Sequence, residues 1–178
     1  MDQLSDCRII LIGMMGSGKT TIGRGLAAAT GWEYVDNDEL LLRRHGMTSR
    51  QILAAQGEAR LRAAEREALI AGLELPPPVI VGVAAGTITD AGDRERLSAG
   101  GIVVWLRAAA ATLVDRAMDA EHRPFVDTVG PDWLQQAAVD RAPLYTSVAG
   151  LVVDTDRGTP EEIVAAIREY LEDVDACP

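Results

Sequence analysis

Short apolar runs alternate along this chain with longer stretches whose apolar residues return every three or four positions. The runs RIILIG (8–13), EYVD (33–36), VIVGVA (79–84), IVVWLR (102–107) and LVVD (151–154) predict five strands. Those at 79, 102 and 151 are apolar almost throughout, which is the pattern of strands covered on both faces by helices. The stretches 18–30, 38–45, 58–73, 108–118 and 159–173 predict helices. Gly31 and Gly46 stand just past two of them, and PPP at 76–78 lies beyond a third, as expected of helix stops. Strand–helix alternation of this kind predicts an α/β fold, a five-stranded parallel sheet flanked by helices, with ligands at the carboxyl ends of the strands. One segment breaks the rhythm. Residues 119–132, DAEHRPFVDTVGPD, combine charge, proline and glycine at a length that suits either a surface connection or a mobile lid.

The 178 residues predict a single domain spanning 1–178, without repeat or linker. Hydrophobic residues make up 48% and charged residues 25%, the balance of an ordinary globular protein. A formal net charge of -10 disfavours nucleic acid and anionic membrane as partners. No run approaches a membrane span, and the opening MDQLSDC lacks the basic start of a signal peptide, so a cytoplasmic protein is expected. Cys7 and Cys177 have no metal-ligand spacing and predict neither a disulfide framework nor a zinc site. A monomer is expected, since the apolar stretches are already used by strands and buried helix faces.

The chemistry starts at GMMGSGKTT, residues 13–21: Gly13, four residues, then Gly18, Lys19 and Thr20. Its glycines let the backbone curl so that N–H groups of Gly16, Ser17, Gly18, Thr20 and Thr21 can face phosphate, and the following helix presents its positive end. At this spacing Lys19 reaches the β- and γ-phosphates of ATP, and the Thr20 hydroxyl is placed for Mg²⁺. In VDNDEL, Asp36 and Asp38 stand at a strand's carboxyl end. Asp36 with Glu39 fits a helix capping box, yet the same carboxylates could order a Mg²⁺ shell and face an acceptor hydroxyl. In GEARLRAAERE, Arg60, Arg62 and Arg66 among glutamates fit a solvated face laced by pairs such as Glu58–Arg62. Arg116, Arg123 and Arg141 fit surface charge singly; together with a phosphate loop they could clamp phosphate or a carboxylate. His45 and His122 fit no catalytic arrangement and are expected at the surface. Trp32, Trp105 and Trp133 are expected to pack.

Taken together, GMMGSGKTTIGRGLA, VDNDELL, GEARLRAAERE, HRPF and DRAPLY resemble the shikimate kinases in order and approximate spacing, over nearly the whole chain. The resemblance implies a nucleoside-monophosphate-kinase-like fold and transfer of the γ-phosphoryl group of ATP, with Mg²⁺, to the 3-hydroxyl of shikimate. It implies Lys19 on the phosphates, Thr20 and Asp36 on the metal, and Asp38 facing the substrate hydroxyls. It further implies Arg62 and Arg141 on the substrate carboxylate, Gly86 against the substrate, and Arg123 swinging in on the lid. Arg116 would pack on adenine, with the DTDRGTP loop and its Arg157 closing the other side. The substrate-binding helical region would be about 37–75 and the lid about 119–132.

The chain also departs from the family. Three consecutive glycines are expected after the third strand, where the chain has Ala84, Ala85 and Gly86; two pocket aromatics appear as Leu53 and Leu61. An alanine methyl occupies space against a ligand and resists positive φ. Since the arginines implied for the carboxylate and Asp38 are nevertheless present, the substrate class that fits is an acidic polyol, shikimate first. A related kinase for a gluconate-like acid or a cyclitol is the alternative, followed by a nucleotide-binding protein without transfer activity.

Overall fold

The computed structural model describes residues 7–118 and 130–173. Five strands, β1 (Arg8–Ile12), β2 (Glu33–Asp36), β3 (Val79–Gly82), β4 (Ile102–Arg107) and β5 (Leu151–Asp154), form one parallel sheet in the order β2-β3-β1-β4-β5. Around it lie α1 (Lys19–Thr30), α2 (Asn37–His45), α3 (Ser49–Leu73), α4 (Ala91–Gly100), α5 (Ala110–Met118), α6 (Pro131–Val148) and α7 (Pro160–Asp173). The expected α/β architecture holds.

Alternation along β1 divides the interior. Ile9 and Leu11 point to one side and pack with Ile22 and Leu26 of α1 and Ile163 and Ile167 of α7. Ile10 and Ile12 point to the other, toward Leu69 of α3, Leu97 of α4 and Tyr145 of α6. All four β1 side chains are at most 2% exposed. Burial of each contributes on the order of 1.5–3 kcal/mol relative to exposure. A third cluster, Leu41 with Ile52, Leu61, Ala64 and Ala68, holds α2 against α3.

Several elements differ from expectation. The helix expected at 58–73 starts at Ser49, in two segments joined across Gly57, whose φ of 81° and ψ of 175° interrupt the spiral. Its start is written in Thr48 and Gln51, which form a reciprocal capping box. The helices at 91–100 and 131–148 were not expected. The first opens on an Asp90 cap, and the second carries Pro143 in its interior, which removes one helical N–H and obscures the pattern. Strand β5 was expected to be covered on both faces but is a sheet edge, and Val152 is 41% exposed. Cys7 is buried and disulfide-bonded, which corrects the expectation of no disulfide. His45 is half-buried rather than at the surface, its ring between Arg60 (3.2 Å) and Glu67 (3.5 Å). His122 and most of the expected lid lie outside the described residues; Gly130 and Pro131 lead into α6. Among the described residues no helix is long and apolar enough to cross a membrane.

Candidate active site

One cavity of about 740 Å³ opens at the carboxyl ends of β1, β2 and β3, bringing together the phosphate loop, both aspartates and Arg62, Arg116 and Arg141. The loop between β1 and α1 turns through Gly13, Gly16 and Gly18, all at positive φ. At Gly16 a side chain would also press on the Leu113 carbonyl, 3.0 Å away. Gly18 caps α1 without any side-chain hydrogen bond, and the first turn contains no acidic residue. The N–H groups there remain available to an anion, in the field of the helix's positive end. The Lys19 ammonium donates to the carbonyls of Gly13 (2.8 Å) and Met14 (3.0 Å), which holds it over the loop. The Ser17 hydroxyl is fully buried with no hydrogen-bond partner among the described residues. Thr20 and Thr21 line the cavity. This cradle fits a polyphosphate.

Arg116 reaches the same cavity from α5, but its guanidinium is tied to Gly16 O (3.4 Å), Thr155 Oγ1 (3.2 Å) and Thr155 O (2.8 Å). It fastens the phosphate loop to the loop after β5. Arg157, on that second loop, is exposed and is not among the cavity's lining, whereas its neighbour Gly158 is.

The two carboxylate oxygens of Asp36 are used separately. Its Oδ1 caps α2 by accepting from the Asp38 N–H at 3.0 Å. Its Oδ2 accepts from the Thr20 hydroxyl (3.0 Å) and from the Tyr34 hydroxyl (2.7 Å). Glu39 completes no box; it pairs with Arg43. Burial, reinforced by the Asp36 charge, raises the Tyr34 hydroxyl far above its usual range, so it stays a donor. The ring lies in a hollow where Gly23 and Gly82 bear no side chain. A hydroxyl and a carboxylate side by side fit a Mg²⁺ ion that takes its other ligands from water and phosphate.

The acceptor half is built by α2, α3, α6 and the segment after β3. Arg60, Arg62 and Arg66 of α3 do not share one solvated face. Arg60 pairs with Glu67, Arg66 with Asp90 and Asp93, while Arg62 turns into the cavity between Glu65 (2.7 Å) and Glu58 (3.0 Å). Burial alone would lower the Arg62 pKa, but the two glutamates hold it above its usual value. Glu65 is itself buried, and desolvation lifts its carboxyl above the usual range despite Arg62. Opposite, Arg141 donates to the Ala85 carbonyl at 3.1 Å and lies 5.4 Å over the Trp133 ring. Burial, with the nearby Arg62 charge adding, lowers its pKa. Two guanidiniums thus flank the buried Glu65, and the exposed Glu58 is a second partner of Arg62 that a ligand carboxylate could displace.

The departures at residues 84 and 85 do not strain the backbone. Among the described residues none other than glycine has positive φ, so both alanines sit in ordinary backbone. Gly86, at φ -76°, is a glycine because Arg62 and Glu65 crowd the place of its Cβ. Leu61 lines the cavity; Leu53 packs against the α2–α3 cluster instead. Arg123 lies outside the described residues. Sequence reasoning missed Glu65, Tyr34, Ser49 and Trp133. Glu65 had a signal: it interrupts the inward stripe Leu61, Ala64, Ala68, Leu69 of α3. Trp133 was expected only to pack, yet it borders the cavity.

Comparison with known proteins agrees with this geometry. The sequence model described as shikimate kinase matches residues 15–172. The shikimate kinase of Bordetella pertussis is 40% identical over 151 residues, 84% of this chain and 71% of that protein. That of Halorhodospira halophila is 36% identical over 166 residues, 93% of each. Among solved structures, a shikimate kinase from Acinetobacter baumannii in complex with shikimate has a TM-score of 0.88 at 30% identity, covering 95% of this chain and 94% of that one.

Proposed function

Because the chain belongs to the shikimate kinase family, we propose that it transfers the γ-phosphoryl group of ATP to the 3-hydroxyl of shikimate, yielding shikimate 3-phosphate and ADP. The observation that carries the choice of acceptor is the pair Arg62 and Arg141 around the single buried Glu65, in the cavity that also holds the phosphate loop. Guanidinium groups meet a carboxylate through paired donors, which a lysine would not provide.

In this reading the loop N–H groups and Lys19 hold the phosphates, and Thr20 and Asp36 hold Mg²⁺, Asp36 through water. The metal, when bound, neutralises charge on the phosphates. Arg62 and Arg141 fix the acceptor by its carboxylate and so set the distance of its hydroxyl from the phosphorus. Asp38, on the cavity wall, accepts the proton as the hydroxyl oxygen bonds to the γ-phosphorus and the bond to the β-phosphate oxygen breaks. Positioning and charge supply most of the acceleration in such transfers. The role of Arg123 rests on the HRPF segment alone.

The test is ADP release from ATP and Mg²⁺ with and without shikimate. Strong stimulation at sub-millimolar shikimate is expected. ATP binding without stimulation would overturn the choice of acceptor.

A further inference from the structure

The Ser49 hydroxyl donates to Asp38 Oδ1 at 2.5 Å, and both residues border the cavity. Asp38 sits in the first turn of α2 and Ser49 opens α3, so the bond crosses from one helix to the next. Neither helix needs it for its own structure. The two are already held together by Leu41, Ile52, Leu61, Ala64 and Ala68. The start of α3 is capped by Thr48 and Gln51, and Asp38 plays no part in that cap.

A serine hydroxyl has one proton and two lone pairs. The proton is committed to Asp38 Oδ1. Asp38 Oδ2 has no hydrogen-bond partner among the described residues and borders the same space. The wall therefore offers two acceptors side by side, Asp38 Oδ2 and Ser49 Oγ, joined by a short charge-assisted bond. A single hydroxyl would use one of them; two hydroxyls on adjacent carbons would use both.

We propose that Ser49 is a specificity-determining residue, which accepts a hydrogen bond from the acceptor hydroxyl adjacent to the one phosphorylated and relays it to Asp38. This rests on the reading of the cavity as a shikimate site. The chain of donors runs from substrate to Ser49 to Asp38, and each bond polarises the next. The carboxylate is held in one orientation by Ser49, with its other oxygen left for the reacting hydroxyl. The consequence is preference for a vicinal diol over an isolated alcohol.

The experiment compares wild type with Ser49→Ala and Ser49→Thr, each on shikimate and on 4-deoxyshikimate, which lacks the neighbouring hydroxyl. Ser49→Ala should lower kcat/KM for shikimate by about three- to tenfold, mainly through KM, as for loss of one hydrogen bond. On 4-deoxyshikimate the same variant should lose clearly less, by at least about threefold, because the substrate bond is absent there and only the hold on Asp38 is removed. Ser49→Thr, which keeps the hydroxyl, should recover most of the loss on shikimate. An equal loss on both acceptors would mean that Ser49 merely steadies Asp38, and no loss on shikimate would remove Ser49 from the site; either overturns the proposal. Wild type that fails to phosphorylate shikimate at all would overturn the acceptor reading itself, and is seen before any variant is made.

Discussion

The Arg62 guanidinium occupies the place where a side chain on residue 86 would have to begin. A Cβ built on Gly86 overlaps Arg62 Nη1 and comes within 2.9 Å of Glu65 Oε2. The backbone there is αR, which any residue adopts, so the glycine answers a demand for space rather than for conformation. One missing methyl lets α3 lay its arginine across the segment after β3.

Gly86→Ala should therefore act through Arg62. The guanidinium must leave its seat, so KM for shikimate should rise by about tenfold or more while the affinity for ATP stays within about twofold. Calorimetric titration with each ligand separates the two. An unchanged acceptor affinity would mean that Arg62 finds a second productive position.

Arg62→Ala should abolish measurable acceptor binding and leave nucleotide binding nearly intact. It also strips Glu65 of its guanidinium partner, so thermal stability should fall as well. Arg62→Lys restores charge without the two-pronged geometry and should recover stability more than turnover. Equal loss of ATP and acceptor binding would make Arg62 a structural residue.

Glu65 gives a pH dependence whose sign can be worked out. Its carboxyl is raised in the folded protein, chiefly by burial. Below the ordinary glutamate value of 4.5 it is protonated in both the folded and the unfolded chain. As pH rises past that point the unfolded chain ionises first, so the contribution of Glu65 to stability declines until the folded carboxyl has ionised too. Denaturant unfolding of wild type and Glu65→Gln from pH 4 to pH 8 should give curves that diverge, with the wild type losing ground as pH rises. Parallel curves would show that Arg62 offsets the burial completely.

Tyr34→Phe keeps the ring in its hollow and removes only the hydroxyl that holds Asp36 Oδ2. The melting temperature should change little. The Mg²⁺ concentration for half-maximal activity should rise on the order of tenfold, as when a partner of a metal-ordering carboxylate is removed. Mn²⁺ affinity in the presence of ADP, read by electron paramagnetic resonance, should weaken in parallel. An unaltered metal requirement would mean that Thr20 alone steadies the carboxylate.

The phosphate loop and all five strands were legible because each is a contiguous signal: an apolar run, or glycines and Lys19 at fixed spacing. The acceptor site was legible only in part, since its parts come from α2, α3, α6 and the segment after β3. Arg62 reads on paper as one of three solvated arginines, and only the fold turns Arg60 and Arg66 toward other carboxylates. Arg141 was singled out from the sequence, and its inward direction follows from lying four residues before Tyr145, which α6 buries. Tyr34 and Ser49 carried no signal of their own; each donates to a carboxylate, Tyr34 to Asp36 on the same strand and Ser49 to Asp38 on the preceding helix. Residues 131–148 escaped notice because Pro143 contradicts a helix that tertiary packing nevertheless enforces.

Residue 85 serves the protein through its carbonyl, which accepts from both Arg141 (3.1 Å) and Tyr145 (3.2 Å). Every amino acid carries that atom. Genetic drift can therefore rewrite the side chain without severing α6 from the segment after β3. A saturation scan at position 85 would register the room left for substrate and little else. At position 86 the same scan would register every side chain through the displacement of Arg62. Two adjacent codons thus stand at opposite ends of mutational freedom, for reasons set by which atom of each residue its neighbours use.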